Sequence, residues 1–231
     1  MTTFRNRSRR CFVCGNIKDF MEISSTNEFG SPDLDLRPAP MRRQTMNAWV
    51  HKCPVCGYAA TNIDAPTEVT QDWLKSQAYR DCEGIAFESP LAATFYQAYM
   101  INKADGRRIA AFQALLHAAW SCDDLRDDAN ATRCRELALA NLDAIIDDES
   151  DRRETLLLLK ADLLRRAGRF DALLQEYAHV RFREDLHNKI LAFQLKRAAA
   201  GDRACHTVRE ALEASPGEGD KRENGDADAP D

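Results

Sequence analysis

One five-residue pattern occurs twice near the N-terminus, as Cys11-Phe12-Val13-Cys14-Gly15 and as Cys53-Pro54-Val55-Cys56-Gly57. Cysteines spaced C-x-x-C sit on one tight turn and can aim both sulfurs at one point. Two such turns supply four sulfurs, the number a tetrahedral Zn²⁺ site takes at Zn–S distances near ~2.3 Å. A glycine after each second cysteine suits a turn that ends at positive φ, where a side chain would clash. Pro54 presets the backbone of the second turn. The chain is therefore expected to fold its N-terminal part around one structural Zn²⁺ held by Cys11, Cys14, Cys53 and Cys56. About sixty residues are marginal as a hydrophobic unit on their own. A structural zinc contributes ~10–16 kcal/mol of apparent binding free energy, which becomes folding free energy.

Other chemistries fit the pattern less well. Thiol–disulfide exchange needs a single pair, usually at a helix N-terminus that lowers the thiol pKa. "CPVCGY" resembles one half of a rubredoxin iron site, but the first turn lacks the matching aromatic, and iron stays an alternative to zinc. A catalytic zinc keeps an open position, and four cysteines leave none. His51, close to Cys53, is read as a strand or surface residue.

The rest of the sequence fits a soluble chain. It has 231 residues, 44% hydrophobic and 30% charged. No apolar stretch follows the basic start MTTFRNRSRR, so secretion is not expected. No segment reaches the ~18 apolar residues of a membrane span. A cytoplasmic location is expected, and in that reducing compartment paired cysteines point to metal rather than to disulfides. Cys82, Cys122, Cys134 and Cys205, scattered singly, read as small buried hydrophobes. Net charge is −5, yet residues 1–60 carry nine Lys/Arg against five Asp/Glu.

Three regions separate by composition: a zinc-ribbon-like module with an inserted loop over 1–66, a helical domain over 67–213, and an acidic tail over 214–231 that should be disordered. The short run Asn47–Val50 reads as strand. Ser89-Pro90 offers a helix N-cap with proline at the first position, and Gly106 a stop. Ile109, Phe112 and Leu116 mark a second helix; Leu137, Leu142 and Ile146 a third, after a polar loop over Cys122–Asn130. Asp151 with Glu154 resembles a capping box, and Gly168 suits the left-handed position after the helix it opens. Shorter helices follow around Leu173, around Ile190 and over 204–212. Gly168 and Gly201 lie 33 residues apart, close to the ~34-residue period of tetratricopeptide helix pairs. The expected fold is mainly α with a small β zinc ribbon, the helices stacked as tetratricopeptide-like antiparallel pairs.

Between the cysteine pairs lies "STNEFGSPDLDLRPAPMRRQ". Asp33, Asp35 and Arg37 alternate around two leucines, which puts the three polar groups on one side of an extended strand. They read either as a loop tied down by Asp–Arg hydrogen bonds or as a binding edge beside the zinc.

"CFVCG", "STNEFGSPDLDLRP", "WVHKCPVCGYAA" and helices of the "LLHAAW" kind together resemble a bacterial family of unknown function. Its members look like a four-cysteine zinc ribbon joined to a tetratricopeptide-like domain. The resemblance covers roughly residues 8–200 and implies metal ligation by the same four cysteines; it implies no activity.

No nucleophile–base pairing stands out, and His117, His179, His187 and His206 occur singly, so no enzyme activity is expected. The leading functional expectation is a zinc-binding protein-interaction or adaptor protein, since stacked helix pairs build surfaces for a partner protein. The alternative is a nucleic-acid-binding zinc ribbon, using Arg5, Arg7, Arg9 and Arg10 on phosphates and Phe4, Phe12 and Trp49 for stacking.

Overall fold

The computed structural model describes residues 1–214, and the acidic tail lies, from residue 215 onward, outside the described residues. The chain is mainly helical, with two small antiparallel hairpins at its N-terminal end. Strands β1 (Thr3–Arg10) and β2 (Ile17–Ser25) form the long hairpin; β3 (His51–Lys52) and β4 (Ala59–Ala60) form a short one. Each cysteine pair is the turn at the tip of a hairpin. Between the hairpins the chain runs through a loop and a 3₁₀ turn, Arg43–Ala48. The expected strand at Asn47–Val50 is thus mostly the end of that turn, where Trp49 N–H bonds Met46 C=O at 3.0 Å.

Nine helices follow: α1 (Gln71–Leu74), α2 (Gln77–Glu83), α3 (Pro90–Ala104), α4 (Arg108–Asp124), α5 (Asp128–Asp148), α6 (Arg153–Arg166), α7 (Phe170–Tyr177), α8 (Asp185–Ala199) and α9 (Val208–Glu213) among the described residues. Ser89 caps α3 by accepting the Ala92 N–H at 3.2 Å. Helix α3 packs on α4, α4 on α5, α5 on α6, and α6 on both α7 and α8. None of the described helices is long and apolar enough to cross a membrane.

Four helices end alike. In α3, α4, α6 and α8 the chain turns through a left-handed residue and closes a Schellman pair of bonds, such as Arg107 N–H to Asn102 C=O at 2.8 Å. Three of those residues are glycine; the fourth is Arg126, at φ +58. The connection between α4 and α5 is therefore only Leu125–Asp127, not the polar loop expected over Cys122–Asn130. Asp123 and Asp124 belong to α4, where their carboxylates meet arginines from elsewhere in the fold. The capping box expected at Asp151 is also absent. Ser150–Arg152 is a 3₁₀ turn, and Glu154 instead accepts the Arg183 N–H at 3.0 Å and meets His187 Nδ1 at 2.7 Å.

One apolar core runs from Cys11 and Cys53 through Tyr58, Tyr79 and Phe95 to Leu159 and Leu163, so the metal module and the first helices share it. A second gathers Leu164, Leu173, Tyr177, Ile190 and Phe193, and takes in Leu34 from the N-terminal loop. Cys82, Cys122 and Cys134 are buried as expected; Cys205 is exposed, in the turn before α9.

Candidate metal centre

The two cysteine turns are built alike. In the first, Gly15 N–H bonds Cys11 C=O at 2.9 Å and Cys11 N–H bonds Asn16 C=O at 2.8 Å. In the second, Gly57 N–H bonds Cys53 C=O at 3.0 Å and Cys53 N–H bonds Tyr58 C=O at 2.8 Å. Gly15 and Gly57 have φ +74 and +79, the left-handed region in which a side chain is strained. A strand enters and leaves each turn, which fixes the direction of both sulfurs.

The four sulfurs converge: all lie within 4.8 Å of one another. Cys11 Sγ is 3.7 Å from Cys56 Sγ, and Cys14 Sγ is 3.6 Å from Cys53 Sγ. A disulfide would bring sulfurs to ~2.05 Å. Four sulfurs at ~2.3 Å from one ion, at tetrahedral corners, lie about 3.8 Å apart. The spacing therefore fits a shared cation and not a bridge. Each pair crosses between turns, as closure around one centre demands.

The electrostatics agree. Burial raises the Cys53 thiol, but the backbone N–H groups of Cys56 and Val55 and the Cys14 thiol outweigh it and bring it down to about 7. Burial pushes Cys11 and Cys56 up. Four thiolates this close repel one another, so either protons or a cation must hold the set together. A metal ion fits this donor set.

The surroundings lock the turns to the helices. Phe12 N–H bonds Ile63 C=O at 3.0 Å, and the Tyr79 hydroxyl of α2 donates to Gly57 C=O at 2.9 Å. His51 is buried in β3 with its ring 4.7 Å from that of Phe20; it packs beside the site.

Asp33, Asp35 and Arg37 are not in the cysteine site. They turn inward, 2%, 1% and 7% exposed. Asp33 accepts Arg43 Nη2 at 2.8 Å, and its backbone makes a bridge with Thr207. Asp35 accepts Trp120 Nε1 at 2.8 Å and Arg166 Nη1 at 2.7 Å. Arg37 Nη2 donates to both oxygens of Asp124, at 2.8 and 2.7 Å. Arg166 also meets Asp123, which pairs with Arg135. Burial works against the Arg166 charge, but Asp35 and Asp123 outweigh it and raise its pKa. The segment is not an extended strand: Asp33 N–H bonds Arg37 C=O at 3.0 Å across a turn, with Leu36 at φ +66.

The arginines of β1 have a partner that the sequence did not reveal. Arg5, Arg7 and Arg9 share one face of the hairpin with Glu22, which lies 3.8, 3.8 and 2.6 Å from them. Their pairing follows from the register, Arg5 opposite Glu22, and no local pattern announces it. His117, read from sequence as an isolated histidine, is ringed by Trp49, Phe95 and Trp120.

Comparison with protein-family models, with curated proteins and with solved structures finds no match for this chain. The four-cysteine cluster is the part of the family resemblance that the geometry carries.

Proposed function

We propose that this protein is a zinc-stapled, non-catalytic adaptor that docks another protein through its long hairpin. The observation that carries the reading is the outer face of β1–β2. Register places Phe4, Met21 and Ile17 on the side opposite Arg5, Arg7 and Arg9, with Arg10 beside Ile17, and the three apolar side chains are 42%, 39% and 57% exposed. Phe12 and Val55, on the two cysteine turns, add 49% and 69% exposed side chains at the tip. Apolar side chains held outward on a rigid, metal-anchored ribbon suit a partner's apolar surface. The metal is zinc on this reading, because zinc accepts four thiolates in a closed tetrahedral site, and the reducing cytoplasm keeps those thiols available.

The helices then serve as the scaffold behind the ribbon. The recurrent left-handed helix ends and the 33-residue spacing of Gly168 and Gly201 support tetratricopeptide-like pairs. The test compares cross-linked partners of the wild-type chain with those of a Phe4→Ser, Ile17→Ser, Met21→Ser variant in the native cell. A protein recovered stoichiometrically with wild type and lost with the variant supports the reading. Identical recovery from both rejects it.

A second reading, nucleic-acid binding, draws on the row of arginines along β1. Glu22 neutralises part of that row, and Arg9 is further held by Asp64 at 2.9 Å. The adaptor reading is therefore preferred.

A further inference from the structure

A cleft of about 750 Å³ opens between the N-terminal module and the helices. Its floor is the face of α4 carrying Phe112, Leu116 and Trp120, extended by Leu156 and Leu159 of α6; Leu36, Pro38 and Trp49 form the facing wall. Small-molecule sites are typically ~300–1,000 Å³, mostly apolar, with a few placed polar groups.

Three features distinguish this cleft from a packing gap. The first is His117. Its ring lies 5.1 Å from Trp49, 5.1 Å from Phe95 and 5.0 Å from Trp120. Neither ring nitrogen has a hydrogen-bond partner among the described residues. Burial pushes its pKa down to about 4, so at neutral pH it offers one N–H donor and one acceptor.

The second is Leu36, a leucine at φ +66 with 41% exposure. That conformation costs an L-residue roughly 1–2 kcal/mol and persists only where its surroundings impose it. Asp35 and Arg37 impose it here, each anchored to the helices through Arg166, Trp120 and Asp124, so the leucine between them is held over the cleft. The third is Trp120, whose indole is fixed in the floor by its bond to Asp35. The Asp-Leu-Asp-Leu-Arg segment thus shapes this cavity from behind. Charges around the opening cancel: Glu28 and Glu149 stand against Arg42 and Arg152.

We propose that the cleft binds an uncharged, largely apolar small molecule, a fused-ring compound whose carbonyl or hydroxyl hydrogen-bonds His117. The apolar floor selects against charge, the balanced rim offers an ion no preferred side, and the imidazole supplies the directional contact.

The test titrates the full, metal-loaded chain with Nile red, a neutral fused-ring dye bearing a carbonyl. One dye binds per chain, and it quenches the emission of Trp49 and Trp120. Gln113→Trp, an exposed position at the rim, weakens binding at least tenfold by blocking entry. His117→Phe weakens Nile red about tenfold, the worth of one hydrogen bond, and leaves pyrene, which cannot hydrogen-bond, unchanged. The outer-face hairpin variant binds as wild type does, which separates this site from the partner-docking surface. Dye binding indifferent to Gln113→Trp overturns the proposal. So does equal affinity for the anionic dye 1-anilinonaphthalene-8-sulfonate. Absent dye binding, together with self-association that Gln113→Trp abolishes, assigns the cleft to a second copy of the chain instead.

Discussion

Trp120 donates its indole N–H to Asp35 at 2.8 Å across 85 positions of sequence. The same carboxylate oxygen takes Arg166 at 2.7 Å, so one residue of the metal module's loop joins α4 to α6. Asp35→Asn keeps an acceptor for the indole but removes the charge facing Arg166. Unpairing a buried ion costs about 3–5 kcal/mol, and because Asp123 still serves Arg166, the loss should be about 3 kcal/mol in urea denaturation. The double variant Asp35→Leu, Arg166→Met should lose less than the two single changes summed. Additive losses would show that the pair is not coupled.

Metal removal should unfold more than the two turns. Cys11 and Cys53 lie in the same apolar core as Phe95 and Leu159. The purified chain should carry one zinc and no colour, and the Cys53→Ser, Cys56→Ser variant should carry none. Its helical circular dichroism should melt well below that of the wild type, since ~10–16 kcal/mol of binding free energy is at stake. An iron content near one per chain would put iron in place of zinc.

The two leucines of Asp33–Arg37 should respond unequally to truncation. Leu34 is 4% exposed in the second core, and Leu34→Ala should cost about 2–5 kcal/mol. Leu36→Gly relieves a left-handed side chain at the expense of a partly exposed contact, and stability should change by less than about 0.5 kcal/mol. Nile red affinity should fall with Leu36→Gly all the same.

His117 gives the fold an acid sensitivity. Its folded pKa, about 4, lies below the ordinary 6.5, so the unfolded chain takes up a proton that the folded chain refuses. Its contribution is complete above pH 6.5 and declines as pH falls towards 4, by up to about 3 kcal/mol in all. The charged groups around the same cleft are Glu28, Glu149, Arg42 and Arg152. Stability of wild type minus that of His117→Phe, measured by denaturant titration across pH 4–7, should slope through this window. A flat difference contradicts the assignment.

Glu22 restrains the basic strand. Glu22→Gln should leave Arg5 and Arg7 without their carboxylate and raise the salt concentration at which the protein leaves heparin. Unchanged elution would mean that the arginines are already free to meet phosphate, and would return weight to nucleic-acid binding.

The cysteine turns were readable because their chemistry is local: four sulfurs, two glycines and a fixed spacing permit few arrangements. Ser89-Pro90, Gly106, Gly168 and Gly201 were readable for the same reason. What escaped is what the chain decides at a distance. TFRNRSRR and IKDFMEISS alternate weakly because most of their hairpin meets water, with Phe20 alone buried in the core, and only the register joins Arg5 to Glu22. The polar run after Trp120 misled in a similar way: Asp123 and Asp124 look like loop residues until Arg135, Arg166 and Arg37 are found against them. Glu154 could have capped its own helix, yet Arg183 and His187, about thirty positions on, claim its carboxylate. The cleft has no signature at all, being assembled from several separate segments of the chain.

The Asp35–Arg166 bond spans 131 positions, and this has a consequence for the order of synthesis. At ~5–20 residues per second of translation, roughly 7–26 s pass between the making of the acid and the making of its base. Through that interval the metal turns can already close, because both lie upstream of Arg166, and Asp33 can already meet Arg43, while Asp35 waits without its base. The newborn chain is thus a finished hook on an unfinished body. It can join this loop to the C-terminal end, through Asp33 with Thr207, Leu34 with His206 and Ser31 with Arg209, only when α9 begins to emerge.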